Sequence, residues 1–177
     1  MAWRRTGAVH FDFAEVTKKI GAEREIIMDI IESLRVELRN RIISQQEIIP
    51  PEQFQREFQE APARTDFYVR ETLLDFGRTE PTQTAVLLTV LCQYDIFVYE
   101  KWPNPSQTAY NLGAKLLEEF NVKDPAKANI TLADWPNVQA WVREPPRYES
   151  TGKDETFYRL PVQIYIELLI RTDDKEQ

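Results

Sequence analysis

The apolar positions of the chain fall into two helical and four strand-like patterns, in the order helix, two strands, helix, two strands. In the first pattern, apolar residues recur at spacings of three, four and seven, which is typical of a helix with one apolar side. These residues are Ile20, Ile27, Ile31, Leu34 and Leu38, and Ile26 and Ile30 widen the stripe. We predict a helix from about residue 22 to residue 43. A stripe this broad indicates burial in a core or at a subunit interface.

Two strand-like segments follow a polar, proline-bounded stretch. Residues 50–64 are rich in Gln and Glu and predict a loop, with one short helical turn around Phe54 and Phe58. Residues 65–76 (TDFYVRETLLDF) and 84–99 (TAVLLTVLCQYDIFVY) are rich in β-branched and aromatic residues, which favour strands. Residues 77–81 (GRTEP) have the composition of a turn, so the two segments predict a hairpin.

The second half of the chain predicts one helix and two more strands. Prolines at positions 103 and 105 break the chain and start a helix over about 105–121, with an apolar edge that includes Leu112 and Leu116. Residues 138–142 alternate between apolar and polar, and residues 156–171 do so over a longer run. Pro161 near the start of this last segment favours an edge position or the beginning of a strand.

These elements predict a single α+β domain over residues 1–177, with flexible ends. The strands predict a four-stranded sheet, mainly antiparallel or mixed, with the two principal helices packed on one face. The alternation in the last strand requires that one face of the sheet be covered, while the other face can be shared with a partner.

Composition and charge exclude several classes of protein. The chain is 42% hydrophobic and 29% charged, as in ordinary globular domains. No apolar run approaches the roughly 20 residues of a membrane span, and the N-terminus has no signal-peptide pattern, so we expect no membrane association and synthesis in the cytoplasm. The net charge is −7 without any basic block, which argues against nucleic-acid binding as the main function.

The residues needed for catalysis are scarce. His10 is the only histidine and Cys92 the only cysteine, so neither a histidine-based triad nor a zinc site is predicted, and Cys92 is expected to be a buried thiol. The five glycines are too scattered for a phosphate-binding loop. Asp95 lies within an apolar run where a charge is costly, so we expect it to pair across the sheet with Arg70; the alternative is a catalytic acid. We predict no enzyme activity and no cofactor.

The second half of the chain resembles a known family. The strand TVLCQYDIFVYEKW, a proline-bounded loop, the helix SQTAYNLGAKLLEEF, the segment ITLADWPNVQAWV and the closing strand RLPVQIYIELLIR together resemble the tail terminator proteins of long-tailed bacteriophages. Related minor tail and neck proteins share this pattern. The resemblance covers about residues 86–171 and consists of element order and apolar phasing. Residues 50–64 and the acidic C-terminal end depart from it.

The resemblance implies a structural protein of the virion, in the tail or neck. Such proteins form a hexameric ring that caps the tail tube, ends its polymerisation and joins it to the neck. The implied partners are further copies of the chain, the tail tube protein, a neck or connector protein and, where present, a sheath protein. DNA would pass through the lumen without specific binding.

Four residues are candidate interface positions under this reading. Leu34 and Leu38 lie on the broad apolar side of the first helix, Trp141 lies on the polar phase of its strand, and Tyr148 lies in the charged loop that follows it. A tryptophan on a polar phase is more often a contact surface than a solvated residue. We further expect a neutral or acidic lumen, lined by acids of the first helix (Glu23, Asp29, Glu32) or of residues 144–155; the alternative is that these acids form an outer solvated face.

Three alternatives remain open at the level of the sequence. The first is another neck protein, such as a stopper or a head-completion connector. The second is a small hydrolase or nuclease that uses Asp95 and nearby acids. The third is a module that binds a small molecule or peptide between the sheet and the helices.

Overall fold

The computed structural model describes residues 13–44, 49–56, 66–82, 85–153 and 156–171. For residues 13–23 it describes the backbone alone. Within these ranges the helices are α1 (Phe13–Ser44), α2 (Pro105–Glu119) and α3 (Pro125–Ala128). The strands are β1 (Phe54–Arg56), β2 (Phe67–Thr82), β3 (Ala85–Tyr99), β4 (Asn129–Ile130), β5 (Val138–Val142), β6 (Arg147–Tyr148), β7 (Gly152–Lys153) and β8 (Phe157–Arg171).

Helix α1 forms because its apolar residues share one side. Five residues on this side are at most 1% exposed: Ile30, Ile31, Leu34, Leu38 and Ile42. The helix ends within one residue of the predicted end but begins nine residues before the predicted start. The apolar stripe used for the prediction begins only at Ile20, and Gly21 is a poor helix former, so the spacing rule did not extend the helix back to Phe13.

The sheet confirms the α+β class, but the prediction of four strands was wrong. In the part of the chain that the structure describes, eight strands form one sheet in the order β1-β2-β3-β8-β5-β4, and β6 and β7 also pair with β8. Strand β1 runs parallel to β2, so the sheet is mixed. The four additional strands are two or three residues long, too short to carry an alternating pattern.

The long hairpin of β2 and β3 confirms the predicted pairing, but the predicted turn was wrong. Strand β2 continues through residues 77–81 to Thr82, which pairs with Ala85. Ladder hydrogen bonds to β3, such as those around the Gly77–Thr89 pair, override the local turn composition. An irregularity between Leu73 and Asp75 shifts the register by one residue, which is the effect of a β-bulge.

One face of the sheet, the core face, packs against both long helices. Alternate residues of β3 and β8, such as Val90 and Ile166, are fully buried there in one cluster with α1 and α2 residues. Helix α2 approaches so closely that a Cβ placed on Gly113 would lie 3.1 Å from Leu160 Cδ2. The opposite face, called here the open face, carries the other alternate residues, including Gln93, Asp95 and Gln163.

Pro161 lies inside β8 rather than at an edge or a strand start. Its carbonyl accepts a hydrogen bond from Glu149 N, so its nitrogen points to the same side, away from β3. The missing N–H therefore costs no bond in the ladder with β3. This side of β8 is bordered only by the short β6 near Pro161, which is why a proline is tolerated there.

The predicted loop at residues 50–64 contains more structure than expected. A single 3₁₀ turn covers Pro51–Gln53, and Phe54 begins β1, so the helical turn predicted around Phe54 was misplaced. Phe58 lies outside the described residues, as do His10 and the acidic C-terminal end. Among the described residues, no helix is both long and apolar enough to cross a membrane.

Candidate interaction surfaces

A polar network crosses the open face between β3 and β8. Asp95 is only 5% exposed, and both of its carboxylate oxygens accept from the guanidinium of Arg159, at 3.0 Å each. Gln93 Nε2 donates to Asp95 Oδ1 at 2.9 Å, and Gln163 Nε2 donates to Gln93 Oε1 at 3.1 Å. Asp95 is thus paired across the sheet as expected, but with Arg159 on β8.

The predicted partner, Arg70, has a different position. It is the register partner of Asp95 on β2, and its guanidinium lies over the rings of Tyr68 and Phe97, at 5.6 and 5.4 Å. The two aromatic rings are themselves stacked at 4.6 Å. Arg70 therefore contributes a nearby positive charge to Asp95, while the direct ion pair belongs to Arg159.

The geometry around Asp95 is that of a structural ion pair. Burial raises the pKa of the Asp95 carboxyl, and Arg159 partly opposes that rise. A general acid must direct a proton at a reacting group, whereas both oxygens of Asp95 are engaged with Arg159. In the described part of the chain, no group of three or more His, Cys, Asp or Glu side chains is placed to hold a metal ion.

A second polar group lies on the core face, beneath α1. Arg35 Nε donates to Glu71 Oε1 at 3.0 Å, and the Glu71 side chain is only 1% exposed. Cys92 and Tyr94 are fully buried nearby, and burial together with the charge of Glu71 raises the pKa of the Cys92 thiol to about 12. The prediction of a buried thiol is confirmed, and that thiol is protonated at neutral pH.

The four predicted interface residues occupy different environments. Leu34 and Leu38 are 0% exposed within the core of the chain itself, so this fold offers no surface of either to a second copy, and their assignment to an interface is corrected here. The stripe of α1 contacts its own sheet because that sheet has a long apolar face to cover. Trp141 is half-buried on the open face, between Asn129 of β4 and Glu167 of β8.

Tyr148 lies against α2 on the core face. It pairs with Val162, and its Cε1 atom lies 2.7 Å from the position that a Cβ on Gly113 would take. Its ring meets that of Tyr110 edge-on at 5.4 Å. Tyr148 also borders an open cleft of about 350 Å³ formed with α2 and the prolines at positions 145 and 146. Tyr148 is therefore half-buried, with its ring packed against the helix.

Three of the exposed large apolar side chains lie on α1 and on the second half of β2. Met28 is 49% exposed, Leu74 43% and Phe76 45%. These three residues are called here the α1–β2 seam. Large exposed apolar side chains mark a contact surface when they form one contiguous patch.

The direction of α1 places these residues on one side of the molecule. Arg39 lies over the ring of Phe54, which pairs with Val69, whereas Arg35 contacts Glu71, two residues further along β2. Helix α1 therefore runs antiparallel to β2. Met28 lies two turns before Arg35 on the same side of the helix, about 10 Å along its axis. That step leads towards residues 74–76 of β2.

A cleft opens on the other side of α1, next to β4. It has a volume of about 290 Å³, and it lies between α1 and residues 131–134, which directly follow β4. Val36, Leu132 and Ala133 provide apolar lining, and the acidic residues are Glu32, Glu37 and Asp134. This space is called here the α1 cleft.

Hydrogen bonds fix the walls of the α1 cleft. Trp135 Nε1 donates to Ser33 Oγ at 3.0 Å, and Arg41 donates to the carbonyls of Lys127 and Asn129 at 3.1 and 2.6 Å. These bonds join α1 to the segment around β4 at both ends of the cleft. The cleft is therefore part of the folded architecture and its shape is preorganised.

The open face carries most of the arginines that the sheet contributes. Strand register or a direct contact places five arginines on this face: Arg70, Arg143, Arg147, Arg159 and Arg171. Arg143 lies 3.4 Å from Glu167, and Arg147 lies 3.4 Å from Glu149 and donates to Tyr165 Oη. These pairs leave about half of the Arg143 and Arg147 side chains exposed.

The acids proposed to line a lumen are distributed over both layers. Asp29 is exposed on α1, while Glu32 is half-buried and lies 3.6 Å from Arg35. The side chain of Glu23 lies outside the described residues, as does Glu155. Glu144 and Glu149 are half-buried near β6. Whether any of these acids faces a lumen stays a prediction.

Sequence reasoning missed the α1–β2 seam and the α1 cleft. Met28 is apolar but falls outside the stripe of α1, and this mismatch was an available signal for an exposed apolar residue. Ile26 was assigned to the stripe and is in fact 42% exposed. Phe76 stood at the end of a predicted strand, where nothing in the sequence indicates whether a helix covers it.

Comparison with known proteins adds information on the fold alone. No family model matches the chain, and no curated protein matches it. A solved structure aligns with 78% of this chain and 92% of its own chain, at 12% sequence identity and a TM-score of 0.55. The name of that protein states neither an activity nor a partner. The likeness establishes a shared α+β architecture over most of both chains.

Proposed function

We propose that this protein is a structural subunit of a phage virion that forms a hexameric ring at the end of the tail tube. In this role it ends tube polymerisation and joins the tail to the neck, as the tail terminators that it resembles do. The observation that carries the proposal is the α1–β2 seam, three large apolar side chains that are each more than 40% exposed. A protein that acts alone in solution rarely keeps such a patch uncovered.

The arrangement of the fold suits an assembling subunit. Residues of α1, α2 and the sheet form one buried core cluster within a single chain. Leu74 and Phe76 are exposed apolar residues of β2, near one edge of the sheet, where a second copy can reach them. A ring requires a heterologous contact, in which one patch of each subunit meets a different patch on the next.

This proposal has two versions, a tail terminator and another neck protein, and they differ in which proteins bind the two ends of the ring. A tail terminator binds the end of the tail tube, whereas a stopper or another connector binds the head-proximal side of the neck. Both versions use a ring of the same subunit. The geometry around Asp95, with both oxygens held by Arg159, supplies no observation in favour of a hydrolase or nuclease.

Mass measurement and electron microscopy test the proposal. We expect native mass spectrometry of the purified protein, alone or with tail tube protein, to detect species of six copies. Microscopy should locate the protein at tube ends, and its presence should shorten tubes that assemble in vitro. Binding along the sides of tubes, or no binding to tubes and no ring under either condition, would contradict it.

A pair of matched variants connects this test to the seam. Phe76→Ser should reduce ring formation because it removes apolar area from the contact surface. Trp102→Ser is the control, since Trp102 is 39% exposed in the loop before α2, away from the seam. Equal effects of the two changes would indicate general loss of apolar surface rather than a specific interface.

A further inference from the structure

We propose that the α1–β2 seam of one copy packs into the α1 cleft of the next copy, and that this contact closes the ring. The inference rests on the proposed function and names the two surfaces involved. It commits to a second copy of this chain as the occupant of the cleft. Position, shape and charge each support this choice.

The two surfaces lie at opposite edges of one sheet. The seam includes residues of β2, which with β1 forms one edge, and the cleft borders β4, which forms the other edge. Contact between opposite edges is head-to-tail, since each copy offers its seam to one neighbour and its cleft to another. Where the two surfaces of one copy meet different neighbours, repetition of the contact produces a closed ring or an open filament, whereas reciprocal engagement of both surfaces between two copies would give a two-fold dimer.

Shape and polarity match across the proposed contact. Met28 and Phe76 carry exposed apolar side chains, and the cleft of about 290 Å³ presents Val36, which is 39% exposed, together with the exposed Ala133. Burial of these groups against one another removes apolar surface from water on both copies. The bonds that fix the cleft walls limit the entropy that the contact must overcome.

Charge supports the same partner. Arg24 lies one turn before Met28 on the same side of α1, and Arg78 lies two residues after Phe76; both are exposed. The cleft contributes Glu32, Glu37 and Asp134 at its rim. Glu32 and Glu37 already lie 3.6 and 3.3 Å from Arg35 and Arg41 of the same helix, so the complementarity rests mainly on exposed Asp134, which can face an arginine beside the seam of the next copy. The same acids would repel a nucleic-acid backbone.

Mixing two disabled variants tests the inference. Phe76→Asp places a charge in the seam, and Val36→Asp places one in the cleft; each variant alone should be monomeric because every contact needs both surfaces. In an equal mixture, the intact seam of one variant can still enter the intact cleft of the other. We expect native mass spectrometry to detect a dimer containing one copy of each variant and no larger species.

Controls keep the outcome interpretable. Trp102→Asp should leave wild-type association unchanged, and circular dichroism should verify that each variant is folded. Should Phe76→Asp fail to fold, Met28→Asp replaces it, since Met28 is 49% exposed on the helix. A charge exchange adds a second measurement: Arg78→Glu and Asp134→Arg should each weaken association at least tenfold, and their combination in one chain should recover part of the loss.

The outcomes separate this contact from the virion assignment. Rings of wild-type protein that persist in Phe76→Asp or Val36→Asp would overturn the seam–cleft contact and leave the virion role intact. Absence of the mixed dimer, or wild-type protein that stays monomeric at millimolar concentration, would also overturn the contact. The virion role is decided independently, by binding of the wild-type protein to tube ends. Binding of duplex DNA by the cleft would identify a different occupant and overturn the inference.

Discussion

Arg35 on α1 donates to Glu71 on β2 at 3.0 Å, and this bond joins the helix to the sheet beneath it. The Glu71 side chain is 1% exposed and that of Arg35 is 17% exposed, so the ion pair lies almost wholly inside the protein. A buried carboxylate needs such a partner because desolvation otherwise costs several kcal/mol. The pair thus links α1 to β2 through the interior of the protein, alongside the apolar contacts of the core.

Removal of Arg35 should therefore destabilise the fold strongly. We expect Arg35→Met to lower the free energy of unfolding by about 3–5 kcal/mol, because Glu71 stays buried without its guanidinium partner. The double variant Arg35→Met, Glu71→Met should recover much of that loss, since apolar residues of similar size suit the site. Urea denaturation followed by circular dichroism measures both values.

An exposed ion pair is the control for this prediction. Arg143 lies 3.4 Å from Glu167, with its own side chain 51% exposed. Arg143→Met should change the free energy of unfolding by less than about 1 kcal/mol. If Arg35→Met lowers the free energy of unfolding no more than Arg143→Met does, then burial of Glu71 has little energetic consequence.

The sequence predicted the long elements of the fold well, and physical reasons explain where it did not. Period-two alternation over residues 156–171 was a sufficient signal for β8, because its two faces meet different environments. Strands such as β4 and β6 pair over only two residues, so tertiary hydrogen bonds define them and no local pattern can. Residues 77–81 have turn composition, yet pairing with β3 holds them extended.

The pH dependence of the Asp95–Arg159 pair gives a second prediction. The pKa of the Asp95 carboxyl is higher in the folded chain than its ordinary value of 3.8. Between these two pKa values a rise in pH ionises Asp95 more readily in the unfolded chain than in the folded chain, so it lowers the free energy of unfolding. Arg159 limits that rise, hence Arg159→Gln should raise the pKa of Asp95 further. The variant should lose about 1–2 kcal/mol of stability near pH 7 and little below pH 3.8, where Asp95 is protonated in both states.

Denaturation midpoints at several pH values measure this difference, and NMR titration reports the pKa of Asp95 directly. Arg147→Gln is a suitable control because Arg147 pairs with Glu149 at a site where both side chains are at least 40% exposed. A stability loss for Arg159→Gln that is equal at pH 3 and pH 7 would indicate a packing role for the arginine rather than an ion pair.

A third prediction concerns the close contact of α2 with Tyr148. A Cβ on Gly113 would lie 2.7 Å from Tyr148 Cε1 and 3.1 Å from Leu160 Cδ2, so Gly113→Ala should destabilise the fold by about 1–3 kcal/mol. Gly77→Ala is the matched control, because nothing lies within 4 Å of its added Cβ and Gly77 has no positive φ. Thermal unfolding of the two variants should differ by several degrees; equal midpoints would contradict the contact.

Trp141 and Leu34 should respond differently to substitution, although sequence reasoning placed both at an interface. Trp141 is half-buried on the open face, so Trp141→Ala should retain the circular-dichroism spectrum of the fold, and weaker ring formation by this variant would show that the open face takes part in assembly in addition to the seam and the α1 cleft. Leu34 is 0% exposed in the core, so Leu34→Asp should unfold the chain by burying an unpaired charge. A folded Leu34→Asp variant that lacks only ring formation would contradict its position in the core.

The contrast between these two residues shows what an apolar pattern can and cannot decide. The spacing of Leu34 within α1 correctly identified a buried side, but it could not distinguish burial within one chain from burial between chains. That distinction depends on whether the sheet opposite offers enough apolar area, which is a property of the whole fold. Met28 and Phe76 were recognisable as a surface only after the direction of α1 along β2 was known.

The last prediction concerns DNA that passes through the assembled ring. The chain has a net charge of −7, which favours a lumen that does not hold the phosphate backbone, while Arg143 and Arg147 on the open face are about half exposed. We expect the ring to bind duplex DNA weakly at physiological salt, and fluorescence anisotropy over a series of salt concentrations measures this. If the open face lined the lumen, a plot of log affinity against log salt concentration would have a slope of about −0.9 for each phosphate that the ring contacts. The double variant Arg143→Gln, Arg147→Gln would then have a less steep slope, because it makes fewer phosphate contacts. Tight, steeply salt-dependent binding would contradict passive transit and would make nucleic-acid binding part of the function.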